Sequence, residues 1–117
     1  MLTPFGKELR IFRLNNGELL KDMAIKLNIS PAYLSAIENG KKEPTNELMA
    51  RIRTAYHMST KDAEALEEAR ARTLKEVVIC FHSEDDADLS LKFARKLGSL
   101  SKDQRKQILN LLNQDDE

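Results

Sequence analysis

Residues 20–44 read LKDMAIKLNISPAYLSAIENGKKEP. Leu20, Met23, Ala24 and Leu27 recur at helical spacing, and the pattern stops at Asn28. Ser30-Pro31 then marks a new start. A hydroxyl N-cap is followed by proline at the first helical position, where the missing N–H had no intrahelical partner anyway. Leu34 and Ile37 face inward from this second helix, and Asn39-Gly40 closes it. Two short helices joined by a tight turn, Asn28-Ile29-Ser30, form the geometry that sets a second helix in a DNA major groove. On spacing alone, a plain helical hairpin inside an all-α domain fits equally well.

Upstream, Phe5, Leu9 and Phe12 form one stripe of an amphipathic helix between Pro4 and Gly17, ended by Asn15-Asn16-Gly17. Downstream, Thr45 caps a helix that follows Pro44 and buries Leu48, Ile52, Ala55 and Tyr56. An Ala/Glu/Arg-rich helical run from Lys61 to Arg72 then leans on a neighbour through Leu66. All four glycines, Gly6, Gly17, Gly40 and Gly98, read as punctuation between elements. The texture changes at Val77-Val78-Ile79-Cys80-Phe81, where β-branched and aromatic residues favour a short strand over about 76–82. The alternative is that residues 73–82 continue the preceding helix. Two helices follow, over about 86–97 with Leu89, Phe93 and Leu97 in line, and over 102–113 behind a Ser101–Gln104 capping box. Asp115-Asp116-Glu117 reads as a frayed acidic end. The expected fold is mainly α, with a five-helix domain over 1–70. An extension over 71–117 then adds one β-strand and two helices.

At 117 residues, 41% hydrophobic and 32% charged, the chain has the composition of a globular protein with a real core. The single cysteine, Cys80, excludes an internal disulfide framework, and His57 and His82 are too far apart in sequence for a recognisable zinc motif. Neither a transmembrane run nor a signal peptide is visible, so a cytoplasmic protein is expected. Asp85, Asp86 and Asp88 suit a helix N-terminus. With no nucleophile–base pairing or metal-ligand spacing beside them, no enzyme, metal or cofactor is expected.

The segment from Leu20 to Pro44 resembles the lambda-repressor-like (Xre/Cro) helix-turn-helix family. The likeness rests on Met23-Ala24 with Leu27, on Tyr33-Leu34-Ser35 with Ile37-Glu38-Asn39-Gly40, and on Lys41-Lys42-Glu43-Pro44. It extends over about residues 4 to 68. The resemblance implies a lambda-repressor-like DNA-binding domain with the helix at 31–39 as recognition helix, and Pro31, Ala32, Ser35 and Ala36 facing base edges. These small side chains suit thymine methyl groups, with Ser35 as an adaptable hydrogen-bonding group. It further implies that Tyr33 lies against the DNA backbone, and that Asn39, Gly40, Lys41 and Lys42 meet phosphates through amides and side chains. Tyr33 as a core residue and the two lysines as a solvated turn are the bland alternatives. Arg13 and Glu38 match a partly buried architectural ion pair of the family. In place of the family's polar cap and glutamine clamp stand Leu19 and Leu20, so the second helix is poorly capped, and Lys21 or Lys26 is left to substitute at the phosphate.

A double-stranded DNA target read as a palindrome calls for a homodimer. Val77, Val78, Ile79, Cys80 and Phe81 are expected to pair as strands between two copies, with Cys80 a small buried hydrophobe and the last two helices covering the pair. A transcriptional repressor is the leading reading. An autoregulating antitoxin is the main variant, its C-terminal part binding a toxin through Ile108, Leu109, Leu111 and Leu112; a non-DNA interaction module is the reading from another class. The zero net charge is a cancellation: residues 1–58 carry nine Lys and Arg against six Asp and Glu, while residues 59–117 carry ten against thirteen. A mildly basic half and an acidic half suit a specific binder with weak affinity for random DNA at physiological salt.

Overall fold

The computed structural model describes residues 1–114; the acidic end at 115–117 lies outside the described residues. The chain divides into two units, Met1–Val77 and Val78–Glu117. The first holds α1 (Pro4–Asn15), α2 (Leu20–Leu27), α3 (Pro31–Glu38), α4 (Asn46–Tyr56) and α5 (Thr60–Leu74). The second holds α6 (Glu84–Lys96), a 3₁₀ turn (Leu97–Ser99) and α7 (Lys102–Leu112).

Side-chain oxygens at the residues just before the helices start four of the five in the first unit. Thr3, Ser30, Thr45 and Ser59 each accept from a backbone N–H of the first turn. The exception is α2, whose N-cap, Leu19, has no acceptor. The Asp22 carboxylate nevertheless accepts the Leu19 N–H at 2.9 Å, half of a capping box supplied from inside the helix. The start of α2 is therefore better satisfied than Leu19 and Leu20 suggest.

Phe5 and Leu9 of α1, Met23, Ala24 and Leu27 of α2, Leu34 and Ile37 of α3, Leu48, Met49 and Ile52 of α4, and Leu66 of α5 form one core. Fully burying each of the large side chains among them is worth about 1.5–3 kcal/mol relative to exposure. Phe12, Ala55 and Tyr56 pack on its margin. Helix α5 also closes the unit through hydrogen bonds: Thr73 Oγ1 accepts the Phe5 N–H at 2.9 Å, and Arg70 Nε donates to the Pro44 carbonyl at 2.9 Å.

The expected strand over 76–82 is absent: among the described residues the fold is all-helical. Helix α5 stops at Leu74 because Lys75 turns left-handed (φ 60°), with its N–H and that of Glu76 both bonded to the Ala71 carbonyl. Among the described residues the chain has no second strand with which the residues that follow could form a ladder. Strand propensity is largely packing on a sheet neighbour, and here Val77, Val78, Ile79 and Phe81 are exposed. Cys80 is exposed too, not the buried hydrophobe expected. Gly6 is a second correction. It is no boundary marker but a buried residue inside α1.

Candidate nucleic-acid interface

Helix α3 is held by its inner face and its C-terminal end. Glu38, buried at 1% exposure, receives Arg13 of α1 in a two-pronged ion pair, with Nη1 2.5 Å from Oε2 and Nη2 3.5 Å from Oε1. The same Arg13 nitrogen lies 3.8 Å from the Met23 sulfur of α2, so the pair touches three helices. The Glu38 carbonyl accepts from the Thr3 N–H at 3.0 Å and from its hydroxyl at 3.3 Å. Such a close approach of α1 to α3 requires a glycine. A Cβ built on Gly6 would stand 2.2 Å from the Glu38 carbonyl oxygen.

The turn before α3 is fixed from the other side. Asn28 takes the left-handed conformation (φ 57°), which asparagine tolerates better than most residues, and ends α2. Arg51 of α4 donates to the Leu27 and Asn28 carbonyls at 3.1 and 3.3 Å, satisfying acceptors that α2 leaves open. Arg51, Thr3 and Gly6 carry this geometry without standing out in the sequence. The one available signal is the i,i+4 spacing of Glu47 and Arg51, which form an ion pair at 2.7 Å.

Around the outer face, Pro31 and Ala32 are exposed, and Ser35 and Ala36 are half-buried. Ser35 is engaged within its own helix: Asn39 Nδ2 donates to its carbonyl at 2.9 Å and lies 3.5 Å from its hydroxyl oxygen. Tyr33 is half-buried and packs on the core edge, beside Ile29, Thr45, Leu48 and Arg51. Lys41 and Lys42 project from the turn after α3 and are exposed, as is Gly40, whose φ of +80° suits a residue without a side chain.

The backbone amides of this turn are already occupied. Those of Asn39 and Gly40 donate to Ser35 and Ile37, and those of Lys41 and Lys42 both donate to the Ala36 carbonyl, at 2.8 and 3.3 Å. The turn thus caps α3 with the N–H groups that the resemblance offers to phosphates. Side-chain ammonium groups are what it leaves for an anion.

Lys21 is exposed, whereas Lys26 is committed elsewhere. Its ammonium pairs with the Glu18 carboxylate and sits 4.9 Å from the centre of the Tyr56 ring. Tyr56 in turn donates its O–H to Glu18 at 2.6 Å and meets Phe12 edge-on, with ring centres 5.1 Å apart. Burial works to raise the Glu18 pKa, but hydrogen bonds from Lys26 and Tyr56 outweigh it and hold the carboxyl below its ordinary value. Burial, and then the bond to Glu18, push the Tyr56 hydroxyl well above the usual tyrosine range.

A group whose pKa is lowered by folding contributes stability above its unfolded value, and that contribution is lost as pH falls through the folded one. Glu18→Gln is therefore expected to flatten the acid limb of stability between about pH 5 and pH 3, read from thermal melts. Tyr56 has the opposite sign. Its contribution is present below the ordinary tyrosine range and is lost only as pH rises through the raised value, so it does not enter the acid limb.

Among the described residues, no three His, Cys, Asp or Glu side chains come together as a metal site, and no helix is long and apolar enough to cross a membrane.

The family model of a helix-turn-helix domain matches residues 4–66. The chain is 40% identical over 53 residues to the transcriptional regulator ClgR of Mycobacterium tuberculosis, in both strain CDC 1551 / Oshkosh and strain ATCC 25618 / H37Rv. That alignment covers 45% of this chain and 47% of each relative, so the chain spans about half the length of the curated relatives it matches. No solved structure matches it. The matched stretch contains the capped α3, the Asn28 turn and the Arg13–Glu38 pair, and it covers more than half of the chain. On these grounds the chain belongs to the helix-turn-helix domain family, in keeping with its resemblance to lambda-repressor-like regulators.

Proposed function

We propose that this protein is a DNA-binding transcription regulator, a repressor that engages a palindromic operator as a homodimer with α3 in the major groove. The observation that carries the reading is how α3 is anchored. Its inner face and C-terminal end are locked by Arg13, Thr3 and the α1 contact, while Pro31 and Ala32 are exposed at its N-terminal end and Lys41 and Lys42 are exposed in the turn that follows its C-terminal end. A rigid helix with small outward side chains and lysines at one flank fits groove insertion with phosphate anchoring. The named function of the ClgR relatives, transcriptional regulation, supports the same class.

Pro31, Ala32, Ser35 and Ala36 are the base-facing set. No side chain among them makes the bidentate contacts of arginine to guanine or of asparagine to adenine. Sequence preference then rests on thymine methyl contacts, on the Ser35 hydroxyl and on DNA shape. On the backbone side, Lys21, Lys41 and Lys42 supply the charge with Tyr33 and Asn39 beside them, while Gly40, its amide bonded to the Ile37 carbonyl, serves the turn itself.

Selection of bound sequences from a random DNA pool tests the reading. The expected product is an inverted repeat with half-sites about one helical turn, ~34 Å, apart. A pool that stays unenriched at low salt would favour a protein-interaction module on the same fold. Lys41→Ala and Lys42→Ala are each expected to weaken operator and scrambled DNA alike, and to reduce the slope of log affinity against log salt by about one. A loss confined to the operator would reassign that lysine to base reading.

A further inference from the structure

Arg51 stands on α4, outside the helix-turn-helix, yet it holds the turn that joins α2 to α3. Only Asn28, Ile29 and Ser30 lie between those two helices. Arg51 Nη1 carries two N–H bonds and donates to two successive carbonyls at the start of the turn, Leu27 at 3.1 Å and Asn28 at 3.3 Å. Its Nη2 donates to Glu47 Oε1 at 2.7 Å, one turn back on the same helix. Glu47 lies in the first turn of α4, where the helix dipole favours a carboxylate, and it orients the guanidinium. Ile29 and Tyr33 line the hollow beside Arg51. The fork of one arginine thus spans three acceptors, a geometry that the point charge of a lysine does not reproduce.

The two ends of α3 are held differently. Its C-terminal end is tied by the buried Glu38 and by the Thr3 hydrogen bonds. At its N-terminal end, where Pro31 and Ala32 are exposed, the polar tie to another element runs back through the turn to Arg51. Short side chains make the placement of that end decisive. An alanine methyl meets a thymine methyl only where the backbone brings it, and a gap of about 0.5–1 Å forfeits a quarter to a half of such a contact. A lysine on its flexible four-carbon stem follows a phosphate through the same shift. Loosening the turn therefore acts on base reading and spares the sequence-blind part of binding.

We propose that Arg51 is a positioning residue for DNA sequence discrimination, setting the placement of α3 in the groove without touching DNA itself. Its guanidinium is engaged within the protein, with both terminal nitrogens bonded to the turn carbonyls and to Glu47. This role rests on the DNA-binding reading and adds to it a determinant of specificity that lies off the recognition helix.

The test uses the full chain with Arg51→Met, which keeps most of the stem, and Arg51→Lys, which keeps the charge. Without DNA, hydrogen exchange at the bonded Ile29 and Leu34 amides is expected to quicken at least about fivefold in both variants, with the amides inside α1 unchanged. Against the inverted repeat selected by the parent, both variants are expected to lose about tenfold in affinity, while affinity for scrambled DNA at low salt changes less than about twofold. The slope of log affinity against log salt stays that of the parent, because no phosphate contact is lost. An equal loss on both DNAs marks a merely structural role. A slope lowered by about one, or full recovery in Arg51→Lys, makes Arg51 a phosphate contact. Each of these results overturns the proposal, as does unchanged exchange or unchanged operator affinity. Failure of the DNA-binding reading shows separately, as a parent that enriches no sequence: the specificity role then falls with it, whereas the exchange arm still reports whether Arg51 holds the turn.

Discussion

Arg13→Ala is expected to lower the stability of the first unit by about 3–5 kcal/mol, the loss that follows when one partner of a buried ion pair is removed. Glu38, at 1% exposure, would be left charged in the core without water or a counter-ion. The Met23 sulfur beside the guanidinium accepts but cannot donate, so it offers the Glu38 carboxylate nothing once Arg13 is gone. Urea unfolding of the variant and its parent measures the difference, and an unchanged midpoint would remove the pairing from the account. The double variant Arg13→Met with Glu38→Leu separates the cost of an orphaned charge from the worth of the pair. Replacing both partners by apolar groups of similar size is often neutral or stabilising, so most of the lost stability is expected to return.

Gly6→Ala is expected to destabilise the same unit by at least the upper part of the about 1–3 kcal/mol typical of overpacking. Its added carbon would stand 2.2 Å from the carbonyl oxygen of Glu38 and 2.8 Å from that residue's Cα. The obstacle is backbone, which cannot swing aside as a long side chain can. To relieve it α1 must retreat from α3, stretching the Thr3 hydrogen bonds to Glu38 and loosening the Arg13 pair. Gly98→Ala is the control. Nothing lies within 4 Å of a Cβ at Gly98, so a change of no more than about 0.5 kcal/mol is expected. Equal effects at the two sites, compared by thermal melting, would contradict the close-approach argument.

The helices of the first unit were legible because most carry a start signal, an apolar stripe of helical period, or both; α2, without a cap acceptor at Leu19, was legible by its stripe alone. Thr45 with Leu48 and Ile52, and Ser30-Pro31 with Leu34 and Ile37, are local patterns that agree with the global packing. Glu38 and Arg13 were legible through the family resemblance. Gly6 was not, because a glycine that permits two helices to touch looks the same in sequence as one that ends a helix. Arg51 was missed for a related reason: its acceptors are carbonyls of a turn 24 and 23 residues away, which no local pattern reveals. The strand over 76–82 failed because propensity describes how Val77-Val78-Ile79 would sit in a sheet, and no sheet is there to receive them.

The anchoring of α3 also bears on how such a protein diverges. Its tertiary bonds are concentrated at Glu38 and its core contacts at Leu34 and Ile37, whereas no hydrogen bond to another element is made by the side chains of Ala32, Ser35 or Ala36. On the proposed reading, the positions that face DNA and the positions that hold the fold are therefore almost disjoint. A duplicated copy of this chain could then accept new residues at 32, 35 and 36, and so change the DNA it reads, without first accumulating compensating changes in the core.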